Sequence, residues 1–432
     1  MFKISNKTFY YRHKVEIEKY LESKNSLHIL NFDSKNKIIN AESDKLFLKF
    51  DNSSNVPKIE KNKKYDRILL TDVIENHEDV FTLLSTISDS LTDDGKLIIS
   101  SINSKYSLIF KFFEYLKIKD SNKNNSYIHL KKIKNITSGL GLEYQKYYTK
   151  QFLPFKLFFI GEIINKILEV LFFPFNLGIK TYMIFRPLNR EGKKLSKSII
   201  IPAKNEEGNL KELVSRIPKF DDTEIIFSYG KSEDETLKVM NEISEMYSNF
   251  LFKIIIQSQT GKANAVWEAL EVVENEVIAI LDADISVEPE TLTDFFQIIE
   301  KNSADFVNGT RLVYEMDKKS MRFLNKIGNR FFQYFISKII NEPLTDSLCG
   351  TKVFKKTNLD DLYRWQKIIG VKDPFGDFDM IFSAAYSGQK IVELPISYKE
   401  RRYGTTQISR FKDGYKLLIY LIASFRIFNT SR

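Results

Sequence analysis

The sequence predicts an α/β protein of two domains, each a mostly parallel sheet flanked by helices. Three observations carry this. Short apolar runs alternate with helical patterns in both halves. A polar stretch with Pro and Gly, Pro187–Ser196 (PLNREGKKLS), parts those halves. The 432 residues, at about 150 per domain, allow two or three domains. The boundaries read as 1–188, a linker at 189–196, and 197–432. Hydrophobic residues at 43% let the chain bury a sizeable core, which excludes wholesale disorder.

In the first half, Tyr65–Leu70 reads as a buried strand, Val80–Leu91 as a helix, Asp93-Asp94-Gly95 as a turn and Lys96–Ser101 as the next strand. Gln151–Ile179 is the most apolar stretch. Pro154, Lys156, Glu162, Lys166, Glu169 and Pro174 interrupt it, so it predicts a buried or membrane-facing amphipathic helix, not a spanning one. Lys180–Phe185 reads as a closing strand. The second half predicts strands at Ser198–Ala203, Glu224–Ser228, Phe252–Gln257, Val277–Asp282 and Phe306–Val313. Helices fall between them at Asn209–Ile217, Asp234–Tyr247, Lys262–Val273 and Pro289–Lys301, the last with Pro at its first position. Long helices follow Met321, then a short strand near Lys352–Phe354, a helix at Phe378–Tyr386 and a strand at Lys390–Tyr398. Gly414–Phe428 is an aromatic-rich helix suited either to a bilayer surface or to packing on its domain.

Composition narrows the chemistry. A lone Cys349 forms no internal disulfide, which fits a reducing compartment, and it reads as a small buried residue. The four His residues all lie in the first third, so the rest of the chain builds no Ser-His-Asp triad and no His-ligated metal site of its own. A net charge of +9 is a mild excess for this length. It favours anionic surfaces and phosphates, and without a dense basic block no nucleic-acid partner is expected. Met1–Lys14 is polar and charged, so no secretory signal peptide and a cytoplasmic protein are expected, and the basic excess and amphipathic stretches suit a peripheral place at the inner face of the membrane. No glycine precedes Gly95, which leaves the first quarter without the usual material of a phosphate-binding loop.

The informative string is Val277–Asp284 (VIAILDAD). In extended chain Asp282 and Asp284 point to one side and Ala283 to the other. Two carboxylates so placed suit Mg²⁺ or Mn²⁺, which in turn grips a diphosphate, although loops and helix caps use D-x-D as well. Gly261-Lys262 opens the preceding helix, with Gly allowing close approach and Lys supplying charge. Arg401-Arg402, taken alone, reads more readily as a solvated pair than as a phosphate clamp, and Trp267 with Phe323–Phe335 reads as core or groove wall.

Taken in order, IPAKNE, GKANA, LDAD, NGTR, DSLCGTK and ERRYGTTQIS make residues 196–428 resemble a family 2 glycosyltransferase of the GT-A fold, in the branch of the dolichol- and polyprenyl-phosphate mannosyltransferases. The resemblance implies a nucleotide-sugar donor, UDP- or GDP-linked, and inversion at the sugar carbon. It implies that Pro202, Ala203 and Glu206 line the nucleoside pocket, and that Asp282 and Asp284 hold metal and diphosphate. Gly261 and Lys262 would attend the donor, while Arg311 and Arg401 would meet phosphates. Phe227–Ser232 lacks the acid expected at the second strand's end, with Asp234 as a partial substitute, and Gln407 stands where Lys is common in lipid-phosphate transferases. A polyprenyl-phosphate acceptor is ionised and needs no base. A glycan hydroxyl needs one, for which Asp346, Asp377 and Asp379 are candidates, with Asp379 preferred.

Tyr65–Asn76 and Leu91–Ser100, with Phe32-Asp33-Ser34 as the acid after a second strand, make residues 10–188 resemble class I S-adenosylmethionine methyltransferases. The glycine-rich cofactor loop is missing. The resemblance therefore implies a degenerate domain with a structural or docking duty, and S-adenosylmethionine is not expected as a cofactor. Two rivals remain: a bifunctional methyltransferase/glycosyltransferase, and a non-catalytic membrane-associated scaffold with a vestigial transferase fold.

Overall fold

Two sheets organise the chain in a computed structural model, which describes residues 25–31, 44–48, 63–75, 79–115, 129–152, 176–188, 192–311, 323–399 and 410–429 and a few short pieces between them. The chain divides into Met1–Asn189, joined by Asn429–Arg432, and Arg190–Phe428.

The first unit carries β1 (Ser26–Asn31), β2 (Asp44–Leu48), β3 (Tyr65–Thr71), α1 (Val80–Ser88), β4 (Leu91–Ile102), α2 (Ser107–Tyr115), α3 (Leu130–Gly139), β5 (Leu142–Lys150) and β6 (Lys180–Pro187). Its sheet order is β2-β1-β3-β4-β6-β5. The first four strands are mutually parallel, and β6 runs antiparallel to both β4 and β5. The Asp93-Asp94-Gly95 turn does not form. Leu91–Ile102 is one strand, in which Tyr65 pairs with Leu91 and Arg67 with Lys96, so Thr92–Gly95 bulge out opposite Asp66. Turn-forming residues are accommodated there because a bulge leaves them outside the ladder. Phe32-Asp33-Ser34 lies outside the described residues and follows β1, the first described strand, not a second one. Most of the apolar stretch 151–179 also lies outside them.

The second unit carries β7 (Lys197–Ala203), α4 (Glu207–Arg216), β8 (Thr223–Tyr229), α5 (Thr236–Met246), β9 (Leu251–Ile256), α6 (Lys262–Leu270), β10 (Val277–Ile280), α7 (Leu292–Glu300), β11 (Phe306–Thr310), α8 (Phe323–Ile340), β12 (Lys352–Lys355), α9 (Leu359–Ile369), α10 (Asp377–Tyr386), β13 (Ile391–Pro395) and α11 (Arg410–Asn429). The sheet order is β13-β11-β12-β10-β7-β8-β9, parallel from β10 to β9. β12 runs antiparallel between β10 and β11. Side-chain alternation builds the core on both faces. Ile200, Ile226, Ile278 and Ile280 face a cluster with α6, α8, α9, α10 and α11. Ile199, Ile201, Ile225, Phe227, Val277 and Ala279 face a second cluster with α4, α5 and α7. Part of the expected linker is anchored to this unit: Lys193 N donates to Glu300 O, Leu195 N to Glu300 Oε1 and Ser196 N to Glu276 Oε2.

Candidate active site

In the second sheet the strand order reverses between β7 and β10, and such sheets take ligands in the crevice outside the carboxyl ends of those strands. β7 ends there at Pro202-Ala203. β10 stops at Ile280, so Leu281–Asp284 lie in the turn beyond it. The two aspartates therefore do not alternate along an extended strand as expected. Ile285 adopts a φ of 52°, a costly conformation for a β-branched residue, and Asp284 Oδ1 accepts from Ser286 N at 3.0 Å. Ala283 does face the core.

Asp282 Oδ1 lies 2.5 Å from Lys262 Nζ, the first residue of α6. Gly261, at a φ of 112°, delivers that helix start. Burial alone would lower the Lys262 ammonium, yet Asp282, Asp377 and Asp284 hold it above its ordinary range. Burial would raise Asp282, but Lys262, Lys352 and Arg311 pull it down, so it stays ionised. Gly350 closes over this pair: a β carbon there would collide with Asp282 Oδ2 and Lys262 Nζ. The strand that follows pairs Lys352 with Ile280. Lys352 is fully buried; its ammonium donates to Cys349 O and sits 2.6 Å from Asp377 Oδ1 at the head of α10. Positive and negative groups from α6, the β10 turn, β12 and α10 thus meet at one edge of the sheet. Asp282 and Asp284 are hard oxygen donors of the type Mg²⁺ or Mn²⁺ takes, and among the described residues no cluster of three ligating side chains forms. Such ions commonly use one or two carboxylates and complete their shell with substrate phosphates and water, so the residues present fit the metal.

Several expected site residues are placed differently. Arg311 is engaged by Asp346 through Nε at 2.7 Å and Nη2 at 2.9 Å, and it lies over the Tyr398 ring. Burial would raise Asp346, yet Arg311 and Asn329 bring it to about 2. The two residues engage each other, with the Arg311 side chain nearly buried and Asp346 fully so. Asp379 points into the α9–α11 core, where Tyr420 donates to it and Trp365 Nε1 donates to Tyr420 at 2.7 Å. The acid of that motif facing Lys262 and Lys352 is instead Asp377, two residues and about 200° of helix rotation away. Asp234 accepts from Thr236 N at 3.1 Å and Glu207 N at 3.3 Å, so it ties the start of α5 to the start of α4. Glu206 is buried and accepts from Asn209 Nδ2 at 2.6 Å. Pro202 and Ala203 lie at the end of β7, beside the crevice. Cys349 is fully buried, and burial pushes its thiol up to about 12, which suits packing and not attack. Arg401 and Gln407 lie outside the described residues. Sequence reasoning missed Lys352, although GTK was in view, and it missed Asn329 and Glu393, which no local pattern marks.

Residues 198–363 match the profile of glycosyl transferase family 2. They form a family 2 glycosyltransferase domain. The chain is 22% identical over 226 residues to an undecaprenyl-phosphate 4-deoxy-4-formamido-L-arabinose transferase of Proteus mirabilis, covering 51% of this chain and 65% of that protein. It is 24% identical over 219 residues to a dolichyl-phosphate hexose transferase of Haloferax volcanii, covering 50% of this chain and 88% of that one. The chain thus spans just under two thirds of the Proteus protein. Among solved structures, glucosyl-3-phosphoglycerate synthase from Mycobacterium tuberculosis, crystallised with Mn²⁺, UDP and phosphoglyceric acid, aligns at 14% identity and a TM-score of 0.39 over 54% of this chain and 78% of that one. The family 2 domain accounts for the order of motifs from Pro202 to Lys352.

Proposed function

We propose that the protein is a metal-dependent, inverting glycosyltransferase that moves a sugar from a UDP- or GDP-linked donor to a polyprenyl phosphate or a glycan. The observation carrying this reading is the convergence of Asp282, Lys262, Gly350, Lys352 and Asp377 at the strand-order reversal. Asp282 and Asp284 would hold Mg²⁺ or Mn²⁺, which neutralises charge on the departing nucleoside diphosphate. Lys262 is a preplaced cation beside the same charge. Gly350 lets backbone approach the diphosphate position where a side chain would obstruct it. Lys352 holds Asp377 against the site. With a lipid-phosphate acceptor that carboxylate orients Lys352; with a hydroxyl acceptor it is the group placed to take the proton. The names of the two relatives support the lipid-phosphate acceptor.

The first unit is proposed as a methyltransferase-like domain with a structural duty. Its strand order reverses between β1 and β3, the place a ligand would use. There His28 bonds Thr71 at 2.8 Å, Lys180 pairs with Asp72, and Glu75 Oε1 accepts from Ile102 N at 2.6 Å. Several polar groups at that edge thus engage one another.

One set of measurements on the full chain tests both readings. UDP- or GDP-sugars with Mn²⁺ should raise the melting temperature, and S-adenosylmethionine should leave it unchanged. Asp282→Asn and Asp284→Asn should each cut nucleotide release by on the order of a thousandfold. Undiminished turnover in either variant would sink the metal assignment, and a shift with S-adenosylmethionine would sink the structural reading of the first unit.

A further inference from the structure

Lys262 stands where a metal cation is expected. Its ammonium is 2.5 Å from Asp282 Oδ1, and both side chains keep solvent access, 31% for Lys262 and 28% for Asp282. The placement is braced from two directions. Lys262 is fixed at the first turn of α6, and Gly350 packs against both charged groups from the β12 side. The pair therefore belongs to the ligand-free protein.

Resting on the metal reading above, we propose that Lys262 is a resident counter-cation that a divalent ion must displace from Asp282, so that metal and nucleotide bind as a coupled pair. An ammonium and a dication cannot both sit on one carboxylate oxygen without strong repulsion. A nucleoside diphosphate removes the conflict, because its phosphates give the displaced ammonium a new partner and the metal further oxygen ligands. The lysine stem is long and flexible enough to change partners while its helix stays in place. Coupling of this kind is reciprocal: metal strengthens nucleotide binding by the factor that nucleotide strengthens metal binding. The arrangement also keeps the acidic turn neutralised between turnovers, when no metal is held.

Electron paramagnetic resonance of free Mn²⁺ reads the coupling directly, on the full-length protein, with Mn²⁺ alone and then with UDP or GDP. The parent protein should bind Mn²⁺ at least about tenfold more tightly with nucleotide than without. Lys262→Met should bind Mn²⁺ alone at least about tenfold more tightly than the parent and lose most of the nucleotide enhancement. Lys262→Arg keeps the cation and should resemble the parent. Lys262→Gln repeats the comparison if Lys262→Met does not fold. Equal affinity of parent and neutral variant for Mn²⁺ alone overturns the counter-cation inference and leaves the metal reading standing. Absence of Mn²⁺ binding in both, with and without nucleotide, overturns the metal reading itself.

Discussion

Asp377 and Asp379 show how much the rotation of a helix decides. Both are buried acids in one motif, PFGDFDM, yet Asp377 pairs with Lys352 and Asp379 meets Tyr420 and Gln366. Burial first, and then the neighbouring Asp373, raise Asp379 to about 7; burial raises Asp373 to about 6. A carboxyl raised above its unfolded value holds a proton in the native state that the unfolded chain releases, so its stabilising contribution is complete below about pH 4 and is lost as pH climbs to about 7. The protein should melt at a lower temperature at pH 8 than at pH 5, and Asp379→Asn should flatten part of that slope while turnover stays within about threefold. Asp377→Asn should instead cut turnover on the order of a hundredfold. Reversed outcomes for the two variants would return the catalytic assignment to Asp379.

At the scale of elements, the segment Leu344–Gly350 between α8 and β12 is what brings Gly350 and Lys352 to the site. Glu393 on β13 accepts from Thr345 N at 2.7 Å and Asp346 N at 3.1 Å, and Asn329 on α8 accepts from Ser347 N at 3.1 Å. Arg311 then clamps Asp346. Side chains from β13 and α8, with Arg311 just past β11, thus satisfy a buried turn that has no ladder of its own. Glu393→Ala removes the acceptor of Thr345 N and of the part-buried Asp346 N and should cost about 1–3 kcal/mol by urea unfolding, with turnover falling as well. Glu393→Gln, which keeps one acceptor, should recover part of both. A Glu393→Ala protein as stable as its parent would show that the segment is held by other contacts.

For the molecule as a whole, the exposed apolar side chains of the second unit bear on where it works. On α8, Phe331, Tyr334 and Phe335 are exposed between Arg330 and Lys338. On α11, Tyr415, Leu418, Ile419 and Ile422 are exposed with Lys412 and Lys416 beside them. Among the described residues no helix is long and apolar enough to cross a membrane. Aromatic and aliphatic rows bracketed by basic residues suit the headgroup region of an anionic bilayer, where a polyprenyl phosphate would be met. The protein should co-sediment with phosphatidylglycerol vesicles, and Ile419→Asp combined with Ile422→Asp should weaken that at least about tenfold. Equal binding by that variant would remove α11 from the docking reading.

Much of this was legible in the residues themselves. Continuous apolar runs such as Ile199–Ile201 and Val277–Ile280 read as strands buried on both faces, and the order of motifs along the second half identified its family. An α/β chain with two sheets follows from periodicity, and the proposed diphosphate site at Asp282 and Lys262 rests on local chemistry together with the family resemblance. What periodicity does not encode is partner choice between distant segments. Whether Arg311 meets a phosphate or Asp346, whether Asp377 or Asp379 turns toward Lys352, and whether Asp93-Asp94-Gly95 makes a turn or a bulge depend on strand register and helix rotation. Those are set by packing across the whole sheet. The sequence by itself determined which chemistry was present; only the tertiary structure decided which charges pair with each other, because pairing depends on register and helix rotation.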